Sequence, residues 1–154
     1  MVFLLRPSGW KVLRKRNALR LLPDTPIDTF ASMEFIRTSP DFPFSAAVIH
    51  HSGRMLEAVL TGFPPDGSKL VSGGAGAELR EIFRQLDEIL ASVGVTKTAI
   101  ASARLYLQHV DRDIAEVNAV YREYFGSHPP NRRAYGVNLQ SGMLVEAAFV
   151  AELP

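Results

Sequence analysis

Two charged residues of the chain stand where they could bind and transform a small molecule. Arg132 follows Pro130 and Asn131, and its planar guanidinium could hold a carboxylate through two parallel hydrogen bonds. Glu146 lies inside an apolar segment, where an unpaired carboxylate is costly. Such a group could orient water or move a proton. By composition alone, a surface arginine and a structural ion-pair partner remain the simpler interpretations.

The other residue types with catalytic potential form weaker patterns. His50 and His51 are adjacent, so on a strand they point to opposite faces and cannot easily share a metal. We therefore predict no metal site. The glycine-rich segment 73–76 lacks the lysine-serine ending of a phosphate loop and predicts a flexible connection. The absence of cysteine excludes disulfides and thiolate chemistry.

Composition indicates one ordinary globular domain. The chain has 154 residues, of which 47% are apolar and 21% charged. No apolar run approaches the roughly 20 residues that cross a bilayer. The formal net charge of +1 gives no global reason to expect nucleic acid. We expect a cytoplasmic protein that does not bind membranes.

Basic residues are concentrated at the start of the chain. Six of the 17 lie in the first twenty positions, at Arg6, Lys11, Arg14, Lys15, Arg16 and Arg20. We predict that residues 1–32 are a poorly ordered extension, or the result of a start set before Met33, and that residues 33–154 form the domain. An arm for nucleic acid or membrane, or a targeting peptide, is the alternative.

Hydrophobic periodicity predicts the order β-β-α-β-α-β-β. Strands are expected at 46–49, 55–60, 101–107, 134–139 and 144–151, with turns at 51–53 and 140–142. A second helix is expected over 113–125. The first helix ends near Gly94 and has one apolar stripe of Leu79, Ile82, Phe83, Leu86, Ile89, Leu90 and Val93. The fold class is therefore α+β, with two helices packed on one face of one mixed sheet.

The second face of that sheet also looks apolar in sequence. Residues that suggest a covered second face are Leu105, Leu107, Val145 and Val150. They indicate association through the sheet, with ordinary one-sided alternation as an equal alternative.

The order of several short motifs resembles that of the YjgF/RidA family. The resemblance covers about residues 33–153. Its motifs are the segments Pro43 to Val48, Thr61-Gly62, Glu116 to Tyr121, Tyr124-Phe125-Gly126, Pro130-Asn131-Arg132 and Leu144-Val145-Glu146. It implies a chorismate-mutase-like fold and a homotrimer with three clefts between subunits. It also implies hydrolysis of enamines and imines of the 2-aminoacrylate type to a 2-keto acid and ammonia, with no metal or organic cofactor.

The resemblance also implies roles for single residues. Arg132 would clasp the substrate carboxylate and Glu146 would handle water or a proton, which makes both catalytic. Asn118 would line the cleft, unless it is an exposed helical asparagine. Gly62 would let backbone approach a ligand, unless it is only a turn glycine.

Three cleft positions depart from the family pattern. Phe44 replaces a tyrosine, Ala134 stands where cysteine is common, and Ala148 replaces a second acid. A cleft that keeps Arg132 and Glu146 but gains Phe44 and Tyr135 would prefer a bulkier or more apolar acid. The lost hydroxyl favours an alternative function, a non-catalytic trimeric binding module for small keto acids or amino-acid-derived carboxylates. Nucleic-acid binding or RNA cleavage is a third, weaker hypothesis.

Overall fold

The computed structural model describes residues 3–5, 11–15, 18–21, 29–30, 33–36, 47–50 and 54–154. The first five of these segments are described as backbone only. Phe44 and the predicted turn at 51–53 lie outside the described residues. The division at residue 32 stays a prediction.

Ten strands and two α-helices follow one another along the described chain. In order they are β1 (Phe3–Leu5), β2 (Lys11–Lys15), β3 (Ala18–Leu21), β4 (Thr29–Phe30), β5 (Met33–Ile36), β6 (Ala47–His50), β7 (Met55–Thr61), α1 (Gly74–Ser92), β8 (Ile100–Leu107), α2 (Val110–Phe125), β9 (Asn131–Gly136) and β10 (Val145–Glu152). A short 3₁₀ turn, Lys97–Ala99, precedes β8. No helix of the described segments is long and apolar enough to cross a membrane.

The strands form two sheets. Strands β1, β2 and β3 make one antiparallel sheet, and the other seven are ordered β4-β5-β6-β7-β10-β8-β9. In the larger sheet β8 and β9 run parallel, whereas all other neighbours are antiparallel. From β6 onward the element order is the predicted β-β-α-β-α-β-β, and the predicted fold class is confirmed.

Helix α1 forms where its apolar stripe meets the sheet. Leu79, Ile82 and Leu86 are fully buried, and each contributes about 1.5–3 kcal/mol by leaving water. Val93 caps the helix, and Gly94 follows at φ +80°, which glycine adopts without a steric penalty. The predicted stripe and stop are therefore as expected.

Helix α2 begins at Val110, three residues before the predicted start. Asp111 and Asp113 lie in its first turn, where their charges favour the positive end of the helix dipole. The prediction began the helix too late because polar residues dominate this turn. Buried Val117 and Val120 face the sheet, and Tyr121 packs against Phe83 of α1 with ring centroids 6.0 Å apart.

Strand β9 lies three residues earlier than predicted, at Asn131–Gly136 and not at 134–139. Its first residues are polar, and the apolar pattern alone begins only at Ala134. The strand is at the edge of the sheet and pairs with β8 alone, so it tolerates exposed charged side chains. The predicted turn at 140–142 is present, with Ser141 and Gly142 both at positive φ.

The sheet alternates one-sidedly. Leu105, Leu107 and Val145, which suggested a covered second face, are fully buried on the helix side. That reasoning was wrong for these three residues, because period-two alternation turns them all toward the helices. Only Val150 of the four lies on the face that carries no helix, which we call the open face. Among the residues whose side chains the structure describes, the large apolar ones exposed on this face are Val59, at 52% exposure, and Tyr135, at 40%.

Candidate functional site

The Arg132 guanidinium lies half-buried on the helix side of the edge strand β9. Its Cζ is 4.9 Å from the centroid of the Tyr121 ring, within the range of a cation–π contact. Its Nη1 is buried and has no hydrogen-bond partner among the described residues. By contrast, Arg84 and Arg112 each make two or more hydrogen bonds to carboxylates. Arg132 is therefore a positive donor held in place without an anionic partner in the described chain.

Tyr121 of helix α2 is the residue that the sequence reasoning missed at this point. The ring is 6% exposed, and the hydroxyl is buried with no hydrogen-bond partner in the described part of the chain. Burial raises the pKa of Tyr121 to about 12, although the nearby charge of Arg132 partly opposes this, so the phenol stays protonated at neutral pH. The signal that could have identified Tyr121 was its place as the last residue of the motif 116–121.

Two other predicted residues join this helix-side group. Asn118 is half-buried and lies three residues before Tyr121, so both share one surface of α2. Ala134 is half-buried and lies on the same face of β9 as Arg132, where it packs against the core. Tyr121 therefore contacts the guanidinium, Ala134 shares the face of β9 that carries Arg132, and Asn118 shares one surface of α2 with Tyr121.

Glu146 lies on the open face, opposite to Arg132. It is paired in register with Tyr106 of β8 and Thr61 of β7. Tyr135 is on the same face and stacks on Tyr106, with ring centroids 5.7 Å apart. Within 4.0 Å, Glu146 has no ion-pair partner in the described segments, so the alternative of a structural partner for an arginine finds no support there.

The register fixes how far apart the two candidate catalytic residues are. Arg132 pairs with Ala103 of β8, which pairs with Phe149 of β10, three residues beyond Glu146. Two strand spacings and three residues of rise put their Cα atoms about 14 Å apart. Their side chains also point to opposite faces. One chain therefore does not bring Arg132 and Glu146, or Arg132 and Tyr135, to the same small ligand.

The packing around Gly62 requires a residue without a side chain, and its predicted role in ligand approach stays a prediction. It is buried, and a Cβ at this position would lie 2.7 Å from Cγ and 2.9 Å from Cβ of Glu78. No side chain fits there without a shift of helix α1. The missing side chain of Gly62 therefore accommodates Glu78.

Glu78 connects the helix to the start of strand β10. It is 2% exposed, and one carboxylate oxygen accepts the backbone N–H groups of Leu144 and Val145 at 2.8 and 2.9 Å. Burial raises the pKa of Glu78, the two N–H donors oppose this, and the charge of Asp113 adds to the rise. Glu146 follows directly after Leu144 and Val145. The sequence reasoning considered Glu146 in this region and missed Glu78.

A second buried polar residue of α1 holds the turn that contains Gly62. Nε2 of Gln85 donates to the carbonyl oxygens of Thr61 and Phe63, both at 3.0 Å. The Gly62 turn, the start of β10 and helix α1 are therefore joined by Glu78 and Gln85. In the segments that carry side chains, no three His, Asp or Glu residues are grouped as metal ligands.

The chain is similar to proteins of one family. The family described as Endoribonuclease L-PSP matches residues 37–153. The 2-iminobutanoate/2-iminopropanoate deaminase of Homo sapiens is 33% identical and aligns with 71% of this chain and 79% of its own length. The protein of the same name from Bos taurus is 34% identical over the same shares.

Solved structures agree with the sequence comparison. A crystal structure of a Rid-family protein from Yersinia pestis superposes with a TM-score of 0.70 at 26% identity, and covers 79% of this chain and 100% of that protein. The family match, residues 37–153, includes strands β6 to β10, both helices, Arg132 and Glu146. The chain therefore belongs to the Endoribonuclease L-PSP family, the family of the YjgF and RidA proteins.

Proposed function

We propose that the protein hydrolyses small 2-imino acids, and the enamines that tautomerise to them, to 2-keto acids and ammonia. An enamine first takes a proton on carbon and becomes the imine. Water then adds to the imine carbon, the nitrogen takes a proton, and the C–N bond breaks to release ammonia. The water oxygen becomes the keto oxygen, so the reaction consumes one water and needs no oxidant.

The observation that carries this proposal is the unpaired, buried Nη1 of Arg132. A desolvated guanidinium donor without an acceptor is costly, and a substrate carboxylate would satisfy it with a charge-assisted hydrogen bond. Every 2-imino acid carries that carboxylate next to the reacting carbon. Holding it fixes the C=N group relative to the surrounding residues. The deaminase names of the human and bovine relatives support the same reaction class.

Glu146 is proposed to orient the attacking water or to protonate the departing nitrogen. Because it lies about 14 Å from Arg132 on the opposite face of the sheet, it would serve a ligand bound by Arg132 of a neighbouring copy. We propose a homotrimer with one cleft at each contact between copies. The exposed Val59 and Tyr135 on the open face support burial of that face in an assembly.

The first test removes the guanidinium. With 2-iminopropanoate formed in the cuvette by an amino-acid oxidase, the wild type should accelerate release of the keto acid, and Arg132→Ala should lower kcat/KM by at least about 100-fold. Arg122→Ala is the matched control, since it removes an exposed guanidinium from α2. An equal rate for the wild type and Arg132→Ala would refute the arginine clamp. No acceleration by the wild type would refute the deaminase.

The second test asks whether two copies build one site. Arg132→Ala and Glu146→Gln are each expected to be inactive as pure proteins. When the two variants are co-expressed and purified together, about a quarter of the sites in a cyclic trimer combine an intact Arg132 with an intact Glu146. About a quarter of wild-type activity should therefore return. A mixture that stays inactive while native mass spectrometry shows mixed trimers would contradict the shared site.

The alternative binding module makes a different prediction. Pyruvate or 2-ketobutyrate would then bind the wild type in calorimetry, with Arg132→Ala abolishing the signal, and no imine hydrolysis would be found. Because a deaminase would also bind its keto-acid product, the hydrolysis assay is the measurement that separates a carboxylate-binding protein from a deaminase.

A further inference from the structure

We propose that Tyr121 is a ligand-binding residue, whose hydroxyl and Arg132 Nη1 together hold the substrate carboxylate. This inference rests on the proposed function, since it assigns a second donor to the same anion. The residue contributes two things: a ring on which the guanidinium lies, and a hydroxyl at the rim of that ring.

The two unsatisfied polar atoms are the first argument. Buried polar groups in folded proteins nearly always have a hydrogen-bond partner, so each exception needs an explanation. Tyr121 Oη and Arg132 Nη1 are both such exceptions in the described chain. They belong to side chains already in contact, with Cζ of Arg132 4.9 Å from the ring centroid. Two orphans in one place indicate one missing partner that can accept from both.

The chemistry of the pair decides what that partner is. A guanidinium only donates, and the Tyr121 phenol stays protonated because its pKa is raised to about 12. A carboxylate has two oxygens and no proton, so it can accept from both groups at once. An ammonium group has no acceptor for either donor. A neutral amide oxygen could accept from both, but it lacks the negative charge that strengthens a hydrogen bond from a guanidinium. The pair therefore favours a 2-imino or 2-keto carboxylate over an uncharged analogue.

The surroundings make the arrangement rigid. Tyr121 is packed against Phe125, with ring centroids 4.5 Å apart, and against Phe83 at 6.0 Å. The ring therefore cannot swing away when the site is empty. Because the ring is packed, the position of its hydroxyl oxygen is fixed before a ligand arrives, which lowers the entropy cost of binding. A buried hydroxyl without a partner lowers the stability of the free protein, and the hydrogen bond to the ligand restores that stability in the complex.

The test uses Tyr121→Phe, which keeps the ring and the cation–π contact and removes only the hydroxyl. The dissociation constant of pyruvate, measured by calorimetry, should rise about tenfold or more, as should KM for 2-iminopropanoate. The Tm of the free variant should equal or exceed that of the wild type, because an unpaired buried hydroxyl is removed. A purely structural tyrosine would instead give an unchanged dissociation constant or a lower Tm.

Two controls keep the outcomes distinct. Tyr124→Phe removes a neighbouring hydroxyl that already donates to Asp87 at 2.5 Å, and should leave pyruvate affinity unchanged. In the background of Arg132→Ala, Tyr121→Phe should have a much smaller effect, since the two donors share one ligand. If the wild type is active and Tyr121→Phe binds pyruvate equally well, this inference is refuted and the deaminase stands. If the wild type neither binds nor reacts, both are refuted.

Discussion

Removing the Glu78 side chain should destabilise the protein far more than removal of an ordinary glutamate. In Glu78→Ala the N–H groups of Leu144 and Val145 lose their acceptor, the first at a partly buried position and the second at a fully buried one. Each unsatisfied donor costs about 1–3 kcal/mol, so we expect a loss of about 2–6 kcal/mol. That is a large part of the roughly 5–15 kcal/mol that stabilises a typical domain.

Replacement by glutamine separates the hydrogen bonds from the charge. Glu78→Gln keeps an oxygen that can accept from both amides, but it carries no charge to desolvate and none to be repelled by Asp113. The folded-state pKa of Glu78 lies above the ordinary value of 4.5, so above pH 4.5 the unfolded chain loses this proton first. The wild type therefore loses stability as pH rises from 4.5 to the folded-state pKa of Glu78. Glu78→Gln should gain stability relative to the wild type over the same window.

A substitution at Gly62 tests the same contact with Glu78 from the other side. In Gly62→Ala the new methyl would lie 2.7 Å from Cγ of Glu78, an overlap that costs about 1–3 kcal/mol. Combined with Glu78→Ala, the cost should be smaller than the sum, because Cγ is gone. The relief should be partial, since Cβ of residue 78 stays at 2.9 Å.

Urea unfolding, followed by circular dichroism at several pH values from 4 to 8, measures these effects. Glu123→Ala is the control, since its exposed carboxylate makes only a surface ion pair with Arg80 at 3.5 Å and should change stability by less than about 1 kcal/mol. The reasoning fails if Glu78→Ala is no worse than this control. It also fails if Glu78→Gln and the wild type show the same pH dependence.

Two further predictions concern the first turns of the helices. Gly76→Ala should raise the free energy of unfolding by up to about 1 kcal/mol, because the new methyl meets only the exposed Glu116 side chain, from Cγ at 2.9 Å out to Oε1, and this side chain can move into solvent. Gly74→Ala should lower it, because residue 74 has φ +85°. Chemical denaturation of both variants checks the contrast. The Arg112 guanidinium holds the pKa of Asp113 below 3.8, so this carboxylate stabilises the fold above that pH, and the contribution is lost as pH falls through the folded-state pKa. Asp113→Asn should therefore lose less stability than the wild type between pH 5 and pH 2, and parallel curves would contradict this.

Local patterning was sufficient for most of the secondary structure. The 3.6-residue stripe of α1 and the two-residue alternation of β8 and β10 are properties of neighbouring residues, so the sequence carries them directly. The errors fall where the spatial surroundings of a residue matter more than its neighbours in the sequence. Strand β9 was set too late because only its place at the sheet edge explains exposed Arg133 in a strand.

The residue types of the candidate site could likewise be found from motif order, but their spatial grouping could not. Arg132, Asn118 and Ala134 share one side of the sheet, whereas Glu146 and Tyr135 share the other. This division depends on the register of three strands that are distant in sequence. No spacing along the chain encodes that register.

By itself, the sequence determined a two-helix α+β domain of known family and an arginine suited to a carboxylate, because periodicity and motif order are local. Only the tertiary structure decided which polar groups are buried together. It brought Tyr121 beneath Arg132, set Glu78 against Gly62 and the β10 amides, and separated Glu146 from Arg132. The physical reason is that burial and hydrogen-bond satisfaction are properties of a packed neighbourhood, which forms only when distant segments meet.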